Sequence, residues 1–375
     1  MPKSKSDSRQ SLGQLLIVGF DGTAMSARLR SMLTRIQPAG VILFARNIVS
    51  AEQTYQLLKD CQSCVSTPVF TCVDMEGGTV DRFRNVLGAT PSASDVFATG
   101  SRKLFFKHGA IIGKACRTLG FNTDFAPVVD LAFAASRTVM ASRAVSADPK
   151  QVTLYAREFL SGLRSAGIVG AAKHFPGLGA ADLDTHKELP SVKRSFKELW
   201  NQDIAPYRAL RRDAPMVLVS HAAYPAFTRD ITPASLSKKW ITEILRKKIQ
   251  YRGLIISDDL EMGGVLKATT AEQAAVEHIR AGGDIGLVCH LEERVLGAYE
   301  GLVNEAERDP RFARRCRESI ARVLAFKRRN KALKRRVAIP KPAALQKLSR
   351  ELWEFGEQVR MQSVELQNFS WQEHS

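Results

Sequence analysis

Three stretches of the chain bring together side chains able to do chemistry. In the first, from Val73 to Arg82, Asp74 and Arg82 flank the paired glycines Gly77 and Gly78, which let the chain turn sharply. A carboxylate and a guanidinium suit neighbouring sugar hydroxyls, one accepting and the other presenting a fork of donors. The same two residues could equally pair with each other as a buried bridge. In the second stretch, Lys173 and His174 open a segment rich in glycine that contains Pro176 and runs on to Asp184 and His186. A spacing of two allows a hydrogen bond in a loop, where Asp184 would orient the His186 imidazole and stabilise its protonated form. In the third, Gly253 to Ser257 is an apolar strand that ends on the adjacent carboxylates Asp258 and Asp259. Successive strand side chains point to opposite faces, so one of the two is expected to face a substrate and the other to cap the next helix.

One carboxylate and one proton shuttle are what retaining glycoside hydrolysis needs. The carboxylate attacks the anomeric carbon, and the shuttle protonates the departing oxygen and later activates water. The usual second carboxylate would here be replaced by His186.

Such groups must be delivered to one place by the fold. Short apolar runs closed by a polar residue occur at Leu15 to Phe20, Gly40 to Ala45, Pro68 to Val73 and Phe121 to Ala126. Four more lie at Ile168 to Lys173, Met216 to Ser220, Gly253 to Ser257 and Asp284 to Cys289. Stretches of helical composition separate most of them, among them Ala51 to Gln62, Ser101 to Leu119, Lys150 to Ala166 and Ser195 to Arg212. This pattern predicts a TIM-type (β/α)8 barrel in the α/β class. An open doubly wound sheet is the alternative, but the Gly-x-Gly-x-x-Gly turn it often carries does not follow the first run. Just past the runs stand Asp21, Arg46 and Asn47, Asp74, Asp124, Lys173 and His174, His221, Asp258 and Asp259, and His290. In a barrel these positions meet at the mouth where barrel enzymes place their sites.

Length and composition agree with one soluble globular unit: 375 residues, 45% hydrophobic and 25% charged. The expected division is a flexible start over residues 1–10, a catalytic barrel over 11–330 and a basic helical tail over 331–375. The apolar stretch after Gln10 is too short for a signal peptide, and no run reaches the roughly 18 apolar residues that span a bilayer. A cytoplasmic protein without membrane contact is expected, its six cysteines being reduced thiols.

The net charge of +17 resembles that of a nucleic-acid binder until it is mapped. Sixteen Lys and Arg against two acids lie between Arg308 and Arg350, leaving +3 for the rest of the chain. With Ile320, Val323, Leu324 and Phe326 among them, the segment predicts an amphipathic helix whose basic face is solvated. Nucleic acid is therefore not the expected partner, although RNA, an anionic surface or an acidic partner would also suit that face. A monomer is expected, dimerisation through the terminal helix being the alternative.

From about Leu15 to about Arg328 the chain resembles the bacterial β-N-acetylglucosaminidase branch of family 3 glycoside hydrolases, the enzymes of cell-wall recycling. The resemblance is carried by Gly40 to Asn47, Asp74 to Arg82, Asp124 to Pro127, Lys173 to Gly179, Asp184 to His186, His221 to Pro225 and Ser257 to Leu260. It implies a retaining mechanism without metal or cofactor, with Asp258 as nucleophile and His186, paired to Asp184, as acid/base. It also implies sugar binding by Asp74, Arg82, Lys173, His174 and Arg143. The implied substrate is a terminal β-linked N-acetylglucosamine on muropeptide-like fragments containing anhydro-muramic acid. Leu178 stands where this pattern has a second histidine, and Met75 and Thr79 where it has Gln and Arg. A β-glycosidase of other specificity is the alternative on the same barrel. A metal-dependent barrel hydrolase would need clustered ligands, whereas His174, His221 and His290 are scattered singly. A barrel without catalysis, holding anions on Arg308 to Arg350, is the reading from a different class.

Overall fold

The computed structural model describes residues 5–136, 140–181, 189–334 and 337–372. Eight parallel strands close into a barrel in the order of the chain. They are β1 (Leu16–Val18), β2 (Gly40–Ile42), β3 (Phe70–Val73), β4 (Thr123–Asp124), β5 (Val169–Phe175), β6 (Met216–Val219), β7 (Leu254–Asp259) and β8 (Ile285–Val288). Six of the predicted apolar runs contain their strand whole, while β5 and β7 continue two residues past the predicted ends, to Phe175 and Asp259. The strands read as unbroken apolar runs because both faces are covered, one by the barrel interior and one by helices.

Alternation then sorts the side chains. Ile17, Ile42, Phe70, Cys72, Val169, Ala171, Met216, Leu218, Leu254, Ile256, Ile285 and Leu287 fill the interior. Their neighbours Val18, Val41, Val73, Ala172, Val217, Ile255 and Val288 pack against the helices instead. Carried one step past the apolar layer, the inward positions become Asp74, Lys173 and Asp258, so three chemically capable residues are aimed at the mouth by strand geometry.

The outer helices follow the predicted stretches. Ala51–Ser63 begins with a capping box in which the Ser50 hydroxyl and the Gln53 side chain satisfy each other's backbone amides. Arg102–Thr118 and Pro149–Ser165 lie against each other. Their backbones come so close that a methyl group on Gly109 or Gly162 would strike carbonyl oxygens of the other helix. The stretch read as one helix from Ser195 to Arg212 is two short ones, Phe196–Asn201 and Ala205–Ala209. The second of them carries a proline, Pro206, in its first turn.

The basic segment forms the helix Pro310–Arg329, which buries Phe312, Cys316, Ser319, Ile320, Val323 and Lys327. Its end closes the floor of the barrel: Val323 joins the interior layer, and the Phe326 and Phe70 rings stand 5.9 Å apart. Its face is thus less solvated than its composition suggests. Lys327 is buried with its ammonium 2.8 Å from Gln14 Oε1, and burial brings its pKa down to about 7. Beyond it, Pro342–Gln372 forms a helix that lays Leu348, Leu352, Phe355 and Val359 on the barrel. All six cysteines are unpaired and buried. Among the described residues no helix is long and apolar enough to cross a membrane.

Candidate active site

At the carboxyl ends of the strands lies a cavity of about 430 Å³. Asp74, Arg82, Arg143, Lys173, His174 and Asp258 all line it, so six of the eight residues named from sequence meet in one place. The other two, Asp184 and His186, lie outside the described residues.

On one wall, Lys173 places its ammonium 2.7 Å from Asp74 Oδ1 and 2.6 Å from Glu76 Oε1. Arg143 grips the Glu76 carboxylate with two parallel bonds of 2.7 and 2.8 Å. Asp74 therefore pairs with Lys173 and forms no bridge to Arg82. Burial alone would raise the Glu76 pKa, but the Arg143 and Lys173 charges outweigh it and hold the carboxyl well below the usual carboxylate range. Burial would likewise strip Lys173 of its proton, yet Asp74 and Glu76 keep its pKa above the ordinary value. The four side chains are a neutral set of fixed charges, pre-organised before any ligand arrives.

The geometry gives a stability prediction. Glu76→Gln leaves two buried cations short of an anion and should cost about 3 kcal/mol in unfolding free energy at pH 7. Because the folded pKa is depressed, this contribution is fully present above the ordinary value of 4.5 and is lost as pH falls below it. Urea melts at pH 7 and pH 3.5 should therefore show the gap between parent and variant closing at the lower pH; an equal gap at both would refute the ion-pair account.

His174 is fixed from behind. Asp130, fully buried, accepts from its Nδ1 at 2.7 Å and its backbone amide at 3.2 Å, and from the Leu178 amide at 2.7 Å. The other ring nitrogen has no hydrogen-bond partner among the described residues. The strand register slips between Ala172 and Phe175, which lets His174 join the cavity although alternation from Lys173 would turn it away.

Asp258 and Asp259 both line the cavity, with different duties. Asp259 caps no helix: one of its oxygens accepts from the Glu261 amide at 3.0 Å and the other sits 3.1 Å from His290 Nε2. That bond raises the His290 pKa. Among the described residues Asp258 accepts only the Asp259 amide, at 2.9 Å. Burial would raise its pKa, but His174, His221, that amide and Lys173 together hold it below the ordinary value. Asp258 is thus an ionised carboxylate with lone pairs to spare. Arg82 has no ion-pair partner among the described residues, and its guanidinium stands 5.9 Å from the Phe44 ring at the rim.

Five residues expected at the mouth do other work. Asp124 lies on the outward parity, fully buried, with Oδ1 on the Met75 amide at 2.9 Å; burial raises its pKa far above normal, so it is a neutral acid that pins the loop carrying Glu76. His221 bridges Ser235 Oγ and the Asp259 carbonyl, and burial lowers its pKa. Asn47 holds the Phe20 and Gly22 carbonyls, and Asp21 pairs with Arg46 away from the cavity. The predicted turn is present, with Gly77 at φ 86° and Gly78 at φ 60°. A Cβ on Gly77 would meet the Pro91 carbonyl at 2.2 Å.

Sequence reading missed Glu76 and Asp130. Glu76 shares the face of Asp74, two residues on, and that spacing was a usable signal. Nothing local marks Asp130. Of the three departures from the family pattern, Leu178 lines the cavity, whereas Met75 is buried in the core and Thr79 is exposed, neither of them lining it.

The model of the glycosyl hydrolase family 3 N-terminal domain matches residues 8–326. A beta-hexosaminidase of Stenotrophomonas maltophilia is 34% identical over 296 residues, covering 76% of this chain and 87% of that protein. One from Idiomarina loihiensis is 33% identical over 283 residues, covering 73% and 83%. Among solved structures, a family 3 beta-N-acetylglucosaminidase from Paenibacillus sp. superposes with a TM-score of 0.85 at 30% identity, covering 92% of this chain and 68% of that one. A beta-N-acetylhexosaminidase from Beutenbergia cavernae gives 0.78 at 25% identity, with 85% and 98% covered.

Proposed function

This chain belongs to glycosyl hydrolase family 3, and from that premise we propose that it is a retaining β-N-acetylhexosaminidase. It would release terminal β-linked N-acetylglucosamine from peptidoglycan fragments. The observation that carries this reading is the ionised Asp258, with a single hydrogen bond among the described residues, lining a sugar-sized cavity whose wall offers Asp74, Lys173, Arg82 and His174 to hydroxyl groups. A volume of about 430 Å³ lies at the lower end of the range of ligand sites and suits one pyranose with an acetamido group.

In the proposed cycle an Asp258 oxygen attacks the anomeric carbon as the bond to the leaving oxygen breaks. His186, held protonated by Asp184, gives that oxygen its proton. The glycosyl ester on Asp258 is then opened by water, whose proton returns to His186, and the sugar leaves with its original β configuration. Asp74 and Lys173 accept from and donate to adjacent hydroxyls, with the distance between them already set. No step calls for a metal or cofactor, and activity is expected to survive a chelator.

The test is turnover of 4-nitrophenyl N-acetyl-β-glucosaminide against the plain β-glucoside. The acetamido sugar should be preferred by at least about 100-fold in kcat/KM, the scale of discrimination available from one well-fitted group. Equal rates would point to the β-glycosidase of other specificity. A muropeptide-like disaccharide ending in anhydro-muramic acid should be cleaved faster than a chitobiose of the same linkage if peptidoglycan fragments are the natural substrates.

A further inference from the structure

The face of the barrel opposite the sugar cavity holds a second pocket, of about 470 Å³. Gly253 and Pro215 form its floor, each the residue just before its strand, so it opens at the amino ends of β6 and β7. Four arginines ring it: Arg211, Arg212, Arg252 and Arg329. Arg212 and Arg252 are exposed and hold no hydrogen bond or ion pair among the described residues, while Arg211 and Arg329 are steadied only by neutral acceptors, the Arg208 and Ala325 carbonyls. The nearby acids are already engaged: Asp213 pairs with Arg157, and Asp284 with Arg246, Arg315 and Arg322. The floor carbonyl of Gly253 is likewise covered, accepting from Arg246 at 2.6 Å.

A concave site with four uncompensated guanidinium groups and its nearest carboxylates taken is built for an anion. Like charges gathered this closely repel one another, and an anion that bridges them relieves the repulsion while accepting planar, paired hydrogen bonds. We propose that this pocket binds a phosphate-bearing polyanion, a chain of two or more phosphate groups, independently of catalysis at the far end of the barrel. The phosphate chain can be a soluble ester or part of a lipid headgroup, since both present the same oxygens.

Calorimetry with inorganic tripolyphosphate and co-sedimentation with vesicles containing CDP-diacylglycerol, whose headgroup carries a diphosphate, separate those sources on the full chain. Arg212→Gln with Arg252→Gln should weaken binding by about tenfold or more, two charge-assisted contacts being lost. Turnover of the acetamido sugar should not change. Lys347→Gln with Arg350→Gln removes the same charge from two exposed positions of the terminal helix, outside the pocket, and should leave binding nearly intact. Loss confined to the pocket pair supports the site, with tripolyphosphate response indicating a soluble ligand and vesicle response alone a headgroup. Absence of binding to both probes, or equal weakening in the two double variants, overturns it.

Discussion

Asp258→Asn should abolish turnover of 4-nitrophenyl N-acetyl-β-glucosaminide, lowering kcat by about 10⁴-fold or more, because an amide cannot form the glycosyl ester that divides the reaction into two easier steps. KM should change little, since the proposed sugar-binding residues Asp74, Lys173, Arg82 and His174 are untouched. The fold should tolerate the change. Among the described residues Asp258 accepts one hydrogen bond, from the Asp259 amide, and the amide oxygen of Asn can accept the same bond. Burial opposes the charged form, so the neutral side chain is if anything easier to accommodate. A variant that keeps its melting temperature and its KM but has no kcat places Asp258 in the chemical step. The same outcome at Asp259 would contradict the division of labour described for the pair, because Asp259 spends its oxygens on Glu261 and His290.

The second large effect concerns the proton. His186→Ala should slow hydrolysis of a natural-type disaccharide by about 10²–10³-fold, the usual share of general acid catalysis, and a nitrophenyl glycoside much less, because nitrophenolate departs without help. The first step then ceases to limit the aryl substrate, and azide should accelerate the variant by accepting the sugar from the ester. The pH profile has a definite sign. The Asp258 carboxyl is held below its ordinary value of 3.8, so in the parent the acid limb of kcat/KM should lie below that pH. The alkaline limb is assigned to the imidazolium of the proposed acid/base His186 and should disappear in His186→Ala. Equal loss on both leaving groups, or an alkaline limb that survives the substitution, would move the acid/base role to another residue.

How much of this was legible beforehand depends on what strand alternation can decide. The eight apolar runs were readable because each strand is buried on both sides and leaves an unbroken hydrophobic word. Asp74, Lys173 and Asp258 followed as the polar ends of inward-facing rows. The same alternation, applied strictly, would have demoted Asp124 and His221, which fall on the outward parity and serve as buried props. It would also have wrongly excluded His174, because the register slip between Ala172 and Phe175 is a tertiary event that leaves no local mark. Arg143 came only through family resemblance, and its reason for being at the site, the two bonds to Glu76, becomes visible once residues 67 positions apart are seen together. The basic segment was harder still. Composition implied a solvated helix face, but Val323, Phe326 and Lys327 close the barrel floor, and four arginines collected from three parts of the chain ring a separate pocket there.

The proposed nucleophile is tested most directly by trapping it. The protein is incubated with a 5-fluoro N-acetylglucosaminyl fluoride, whose fluorine at C5 slows opening of the ester, and is then digested and sequenced by mass spectrometry. One N-acetylhexosaminyl adduct should appear, carried by Asp258, and β-configured sugar should be the first product of normal turnover. An adduct on Asp259 or Asp74, or no adduct together with α-configured product, would contradict the account.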